Sequence, residues 1–123
     1  APPCALWVDR LQFEVVLRNL LANAFEAAAE RPQGERQVRV SAYQEGSGRV
    51  CVMVEDSGPG VSEEMVEQLF EAFHSSKASG LGLGLAISRA IIEAHGGNLW
   101  AEVADHGVFK LVLPLEEKAA DGN

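Results

Sequence analysis

The stretch that most constrains this chain is Lys77-Ala78-Ser79-Gly80-Leu81-Gly82-Leu83-Gly84-Leu85. Three glycines alternate with apolar residues, and an apolar pattern of helical period begins where they end. Glycine admits positive φ angles and lets the backbone approach a ligand closely. The first turn of a helix offers N–H groups without intrahelical partners and a partial positive charge, which suits phosphate. The stretch reads as a triphosphate cradle with Lys77 as the adjacent cation; the plainer alternative is a flexible loop whose glycines only permit turns. Spacing excludes two better-known glycine motifs. A P-loop ends in Gly-Lys-Ser/Thr, whereas Leu85 follows Gly84. A dinucleotide fingerprint needs G-x-G-x-x-G/A, but Gly84 comes one position early after Gly80 and Gly82, and Gly82-x-Gly84 leads to Ile87.

The chain has 123 residues, enough for one domain with a real core. Its formal net charge of −8 argues against a nucleic-acid partner and against direct contact with an anionic membrane, both of which favour a basic patch. Any phosphate site must therefore be built locally, from backbone N–H groups, Lys77 and a metal ion. Cys4 and Cys51 give no disulfide framework; Cys51 lies in an apolar run and reads as a small buried thiol in a reducing compartment. There is no signal peptide and no apolar run of membrane-spanning length, so a cytoplasmic location is expected. Residues 1–5 read as a linker, 6–115 as the folded domain and 116–123 as a polar tail, as though one domain had been taken from a larger protein.

Taken in order, residues 5–8 are a short strand candidate and Asp9 a cap for a helix over 10–30. Leu17, Leu20, Leu21, Ala24 and Ala28 form its apolar stripe. Opposite lie Asn19, Asn23, Glu26 and Glu30, which suit an ordinary solvated face. Asparagine competes with the backbone for hydrogen bonds, however, and two a turn apart are poor choices there. Their carbonyl oxygens could instead help hold a hard cation such as Mg²⁺. Residues 37–43 alternate Val38, Val40 and Ala42 against Arg39 and Ser41, a strand; Gly46 and Gly48 mark a turn; 50–54 is a more buried strand and the expected hairpin partner.

That second strand runs into Glu55-Asp56-Ser57-Gly58-Pro59-Gly60. An ionised Asp56 only accepts hydrogen bonds, so it can accept from the amino group of adenine, where guanine carries a carbonyl oxygen. The alternative is a turn in which Asp56 bonds its own backbone two residues on. A short helix capped by Ser62 and carrying Val66, Leu69 and Phe70 is expected next, with Phe70 as a core anchor and Phe73 as an anchor or the hinge of a flap. After the glycines, Leu83, Ala86, Ile87, Ala90, Ile91 and Ala94 mark a helix face ended by Gly96-Gly97, and two strands around 98–103 and 108–113 close the fold. His74, His95 and His106 have no metal-ligand spacing, and no serine stands in a nucleophile-elbow context.

Four pieces together are more specific than any one. Leu17-Arg18-Asn19-Leu20-Leu21-Ala22-Asn23-Ala24 resembles the N box of sensor histidine kinases, Asp56-Ser57-Gly58-Pro59-Gly60 their G1 box, Leu69-Phe70-Glu71-Ala72-Phe73 their F box, and Gly80-Leu81-Gly82-Leu83-Gly84-Leu85-Ala86-Ile87 their G2 box, in the family's order. The likeness runs from Leu6 to Pro114, and the short span between Phe73 and Gly80 is similar to the nitrogen-, dicarboxylate- and oxygen-sensing branch. It implies the GHKL (Bergerat-type) ATP-binding fold, an α+β two-layer sandwich with a mixed, mostly antiparallel sheet on three helices. By that resemblance Asn23 would coordinate Mg²⁺ and Asn19 contact the triphosphate or its metal shell. Asp56 would bind the adenine amino group, with Gly58 and Gly60 letting the chain pass the base. Phe73, Lys77, Gly80, Leu81, Gly82, Leu83 and Gly84 would form the lid and phosphate contacts.

Two departures bear on mechanism. GHKL hydrolases place a glutamate base where this sequence has Asn19, and asparagine cannot take a proton at neutral pH; ATP should be held for transfer rather than hydrolysed rapidly. The phosphoacceptor histidine of such kinases is followed by an acidic residue, whereas Ser75 follows His74 and glycine follows His95 and His106. The expected partners are therefore a separate dimerisation and phosphoacceptor helical domain of the same kinase and, indirectly, a response regulator. The isolated piece should be a monomer, cytoplasmic even where the parent sensor is anchored in a membrane. The alternatives are a GHKL serine kinase acting on a protein and a nucleotide-sensing module without phosphotransfer.

Overall fold

Helix α1 (Arg10–Ala28) starts at the cap that the sequence supplies: Asp9 is in extended backbone, and its Oδ1 accepts from the Gln12 N–H at 3.0 Å. The structure is a computed structural model that describes residues 9–71 and 84–115. Val16, Leu20, Ala24 and Ala28, four residues apart, form the buried ridge of α1, while Leu17 and Leu21 are only half-buried on its flank. The apolar stripe is thus turned slightly from the expected one, with Val16 in place of Leu17.

Strands β1 (Val38–Glu45) and β2 (Arg49–Asp56) form the expected antiparallel hairpin, turned at Gly46 with φ +67°. With β3 (Asn98–Ala101) and β4 (Gly107–Pro114) they make a four-stranded sheet in the order β1-β2-β4-β3, every pairing among the described residues being antiparallel. One face is built from cross-strand pairs: Val54 opposite Phe109, Val52 opposite Leu111 and Val50 opposite Leu113. All six are buried under the helices. Val40 shares that face opposite Val54, yet it is 49% exposed. The alternation in β1 gave the right direction, but β1 is an edge strand, and of the strands α1 packs chiefly on β2.

The expected helix after Ser62 is reduced to turns and a 3₁₀ segment, Gln68–Phe70. Met65 and Val66 both donate to the Ser62 carbonyl, and one short row of apolar residues is too little to propagate an α-helix. Its anchor is Phe70, buried edge-on against Phe109 with centroids 6.1 Å apart and with the Arg89 guanidinium 4.6 Å from its ring centre.

Helix α2 (Gly84–Ala94) lies beside α1 and buries Ser88 and Ile92, with Leu85 and Ile91 packed partly against the core. The expected face is therefore displaced: Ile87 is 43% exposed, and Ala90 and Ala94 also face out. A buried serine misled the apolar count. The helix ends in a Schellman motif, Gly96 N–H to Glu93 and Gly97 N–H to Ile92, with Gly96 at φ +83°. His95 then joins the two helices: its Nδ1 donates to the Ile91 carbonyl at 2.8 Å, and its Nε2 accepts from the Asp9 N–H at 3.0 Å.

Candidate functional site

The start of α2 is held against the middle of α1. Asn19 Nδ2 donates to the Gly84 carbonyl and to Ser88 Oγ, both at 3.1 Å. This contact brings residues from the asparagine stripe and the glycine stretch, 65 positions apart, into one place. Asn23, one turn on, is half-buried on the same side of α1.

Asp56 occupies the end of β2, only 4% exposed. Its Oδ1 accepts from the Gly58 N–H at 2.8 Å, so the local turn weighed from sequence does form, and it fixes the carboxylate. Glycines close in around it because nothing larger fits. A Cβ on Gly58 would stand 2.7 Å from the Ala27 carbonyl and 2.8 Å from Asp56 Oδ1. A Cβ on Gly107 would collide with the Asp56 carboxylate, and Gly60, at φ +82°, lies against Ala104 and the His106 backbone. The second half of α1, the end of β2 and the turn before β4 therefore meet at Asp56.

Charged groups fix the outer flank. Arg31 Nε donates to the Ser57 carbonyl at 2.7 Å, and Ser57 Oγ accepts from the Gln37 N–H at 2.9 Å. His106 bridges Asp105 Oδ1 at 3.0 Å through Nδ1 and Glu55 Oε2 at 3.1 Å through Nε2. Asp105 first, and then Glu55, raises the His106 pKa above the ordinary imidazole value, while His106 lowers that of Asp105. A cavity of about 540 Å³ opens on this flank between Arg31, Gln37, Arg39, Glu55, Asp56 and His106. Asn19, Asn23 and Gly84 are not on its wall.

Asn19, Asn23, Asp56, Gly58, Gly60 and Gly84 are thus placed on α1, the β2 end with its following loop, and the start of α2. Phe73, Lys77, Gly80, Leu81, Gly82 and Leu83 lie outside the described residues, as do the strand candidate at 5–8 and the tail at 116–123. Sequence reasoning missed Ser88, Ala27 and Gly107. Ser88 had one available signal, a hydroxyl within an apolar helix; the need for Gly107 comes from a contact distant in sequence. Among the described residues no three His, Cys, Asp or Glu side chains form a metal cluster. A cation here would need few protein ligands, which fits Mg²⁺ held by an asparagine oxygen, water and phosphate.

The model of the family described as histidine kinase-, DNA gyrase B- and HSP90-like ATPase matches residues 8–117. The sensor protein FixL of Bradyrhizobium diazoefficiens is 41% identical over 117 residues, covering 94% of this chain and 22% of that protein. The C4-dicarboxylate transport sensor protein DctB of Rhizobium meliloti is 42% identical over 99 residues, 80% of this chain and 16% of that one. The chain therefore spans about a fifth of the length of these relatives. Among solved structures, the mycobacterial sensor histidine kinase MprB superposes with a TM-score of 0.78 at 30% identity, covering 88% of this chain and 73% of the other. The nucleotide-free catalytic domain of histidine kinase ThkA gives 0.76 at 36% identity, covering 89% and 70%.

Proposed function

The chain belongs to the histidine kinase-, DNA gyrase B- and HSP90-like ATPase family, with the fold of sensor histidine kinase catalytic domains, and we propose that it binds Mg-ATP and donates the γ-phosphoryl group to a histidine on a helical domain outside this sequence. In this reading it is the donor half of a two-component phosphorelay. The observation that carries the reading is the cradle at Asp56: a buried carboxylate, oriented by the Gly58 N–H and hemmed by Gly58 and Gly107, where no side chain fits.

Asp56 accepts from the adenine amino group, and the chain passes the base at Gly58 and Gly60. Asn23 and Asn19 serve the cation and triphosphate from α1. The phosphate contacts fall to Lys77, Gly80, Gly82 and Gly84 of the glycine stretch, of which Gly84 lies among the described residues. Mg²⁺, when bound, supplies charge neutralisation on the phosphate oxygens. Asn19 provides no general base, so ATP waits for its acceptor instead of meeting an activated water. Apolar side chains left open on the helices, Leu11 at 73%, Val15 at 42% and Ile87 at 43% exposure, offer a surface to which acceptor helices can bind.

The test is titration calorimetry with ATP and GTP, each with Mg²⁺ and with EDTA, followed by mixing with a separately made acceptor-helix domain and labelled ATP. The reading expects preference for ATP, tighter binding with Mg²⁺, and an acid-labile, base-stable label on the partner. Acid-stable label would indicate a serine kinase, and binding without any label a passive nucleotide module.

A further inference from the structure

The Asn19 side chain has both of its donors engaged inside the fold. An asparagine amide carries two N–H donors and one carbonyl acceptor. Here Nδ2 donates to the Gly84 carbonyl and to the Ser88 hydroxyl oxygen, each at 3.1 Å. The flipped amide would set Oδ1 against the Gly84 carbonyl, acceptor facing acceptor. The Gly84 contact therefore selects one orientation, and Ser88 completes it. Among the described residues Oδ1 accepts no hydrogen bond.

Ser88 is itself out of place by ordinary rules. It is 0% exposed, on a helix face that otherwise buries Ile92 and packs Leu85 against the core. A hydroxyl there lowers stability relative to an apolar residue unless its hydrogen bonding is satisfied. Its partner is Asn19, from the middle of α1.

We propose that Ser88 is a positioning residue: together with the Gly84 carbonyl it holds the Asn19 amide so that the carbonyl oxygen, and not the NH₂ group, is presented to the bound nucleotide. The inference rests on the functional reading above and sharpens it. Asn19 then acts only as an acceptor, towards the cation or a water bound to it. It does not donate to a phosphate oxygen. Affinity gained through Ser88 should appear only when the cation is present.

Two measurements on the full chain test this. In ¹⁵N-labelled protein both Asn19 side-chain amide protons should exchange slowly; Ser88→Ala should free one of them, and Ser88→Thr, which keeps the hydroxyl, should restore protection. In calorimetry with a non-hydrolysable ATP analogue, Ser88→Ala should reduce the gain in affinity brought by Mg²⁺ by about fivefold, the worth of one ordinary hydrogen bond. Affinity in EDTA should stay within about twofold of wild type, since the donors lost to phosphate are none. Unaltered Asn19 amide exchange in Ser88→Ala, or an equal loss of affinity with and without Mg²⁺, overturns this inference and leaves the functional reading standing. A wild-type chain that binds no nucleotide under either condition overturns both.

Discussion

Asp56 is a carboxylate with almost no freedom left: 4% exposed, tied to the Gly58 N–H, and overlooked by Gly107. A group so fixed discriminates by what it cannot do, since it cannot donate to the carbonyl oxygen of guanine. Replacing it by asparagine supplies a donor that can turn either way. Asp56→Asn should therefore weaken ATP by about tenfold to a hundredfold, the worth of a hydrogen bond to a charged group, and narrow the preference over GTP. Equal ATP and GTP affinities in the unmodified chain would contradict the role given to Asp56. Gly107→Ala tests the cage from the other side. Its methyl is driven into the Asp56 carboxylate, so a loss of about 1–3 kcal/mol in stability is expected, with weaker ATP binding. Gly48→Ala, where nothing lies within 4 Å, is the control and should melt with the parent chain. The position of Asp56 was readable in the sequence, because a carboxylate follows a buried strand and precedes two close glycines. The need for Gly107 was not, because it comes from a strand pairing, Asp56 opposite Gly107, that links residues far apart.

At the level of elements, the legible features were those with local causes. The Asp9 cap, the Gly46 turn and the Gly96-Gly97 stop each arise from a few adjacent residues, and each stands where local chemistry put it. The features that went astray depend on what an element packs against. The inward side of α2 was misplaced because Ser88, a polar residue, sits at its centre; the exposure of Val40 follows from β1 lying at an edge. The same distinction separates the turn before β4 from its neighbours, since His106 ties it to β2 through Glu55. Groups facing that imidazole are Asp105 from its own turn and Glu55 from β2, with Arg31 acting on Asp105 from the loop after α1. The folded pKa of His106 is raised above 6.5, so its stabilising contribution is complete below that value and is lost as pH rises through the folded value. The Asp105 share has the opposite sense: its folded pKa is lowered below 3.8, and its contribution disappears only as pH falls through that lower value. Melting temperature should consequently fall from about pH 6 towards pH 8 more in the parent chain than in His106→Gln. Parallel profiles would show that the bridge does not couple to folding.

For the molecule as a whole, both helices pack on one face of the sheet, and their outer sides carry exposed apolar residues. Leu11 and Val15, a turn apart on α1, are 73% and 42% exposed, although both are apolar. Neither belongs to the core cluster, and neither is among the residues placed at the nucleotide. If acceptor helices bind here, the two steps of the reaction are separable by mutation: nucleotide affinity depends on the sheet end and the α1–α2 contact, and transfer on the outer helix surface. Leu11→Ser removes one exposed apolar side chain whose burial against a partner is worth about 1.5–3 kcal/mol. The expected result is at least about tenfold slower labelling of a separately made acceptor domain at subsaturating partner concentration, with ATP affinity and melting temperature unchanged. Raising the partner concentration should restore the rate, because the defect is in association and not in the chemical step. A rate that stays low at saturating partner would place Leu11 in the transfer geometry itself. Labelling unaffected at every concentration would show that the acceptor approaches from another side of the fold.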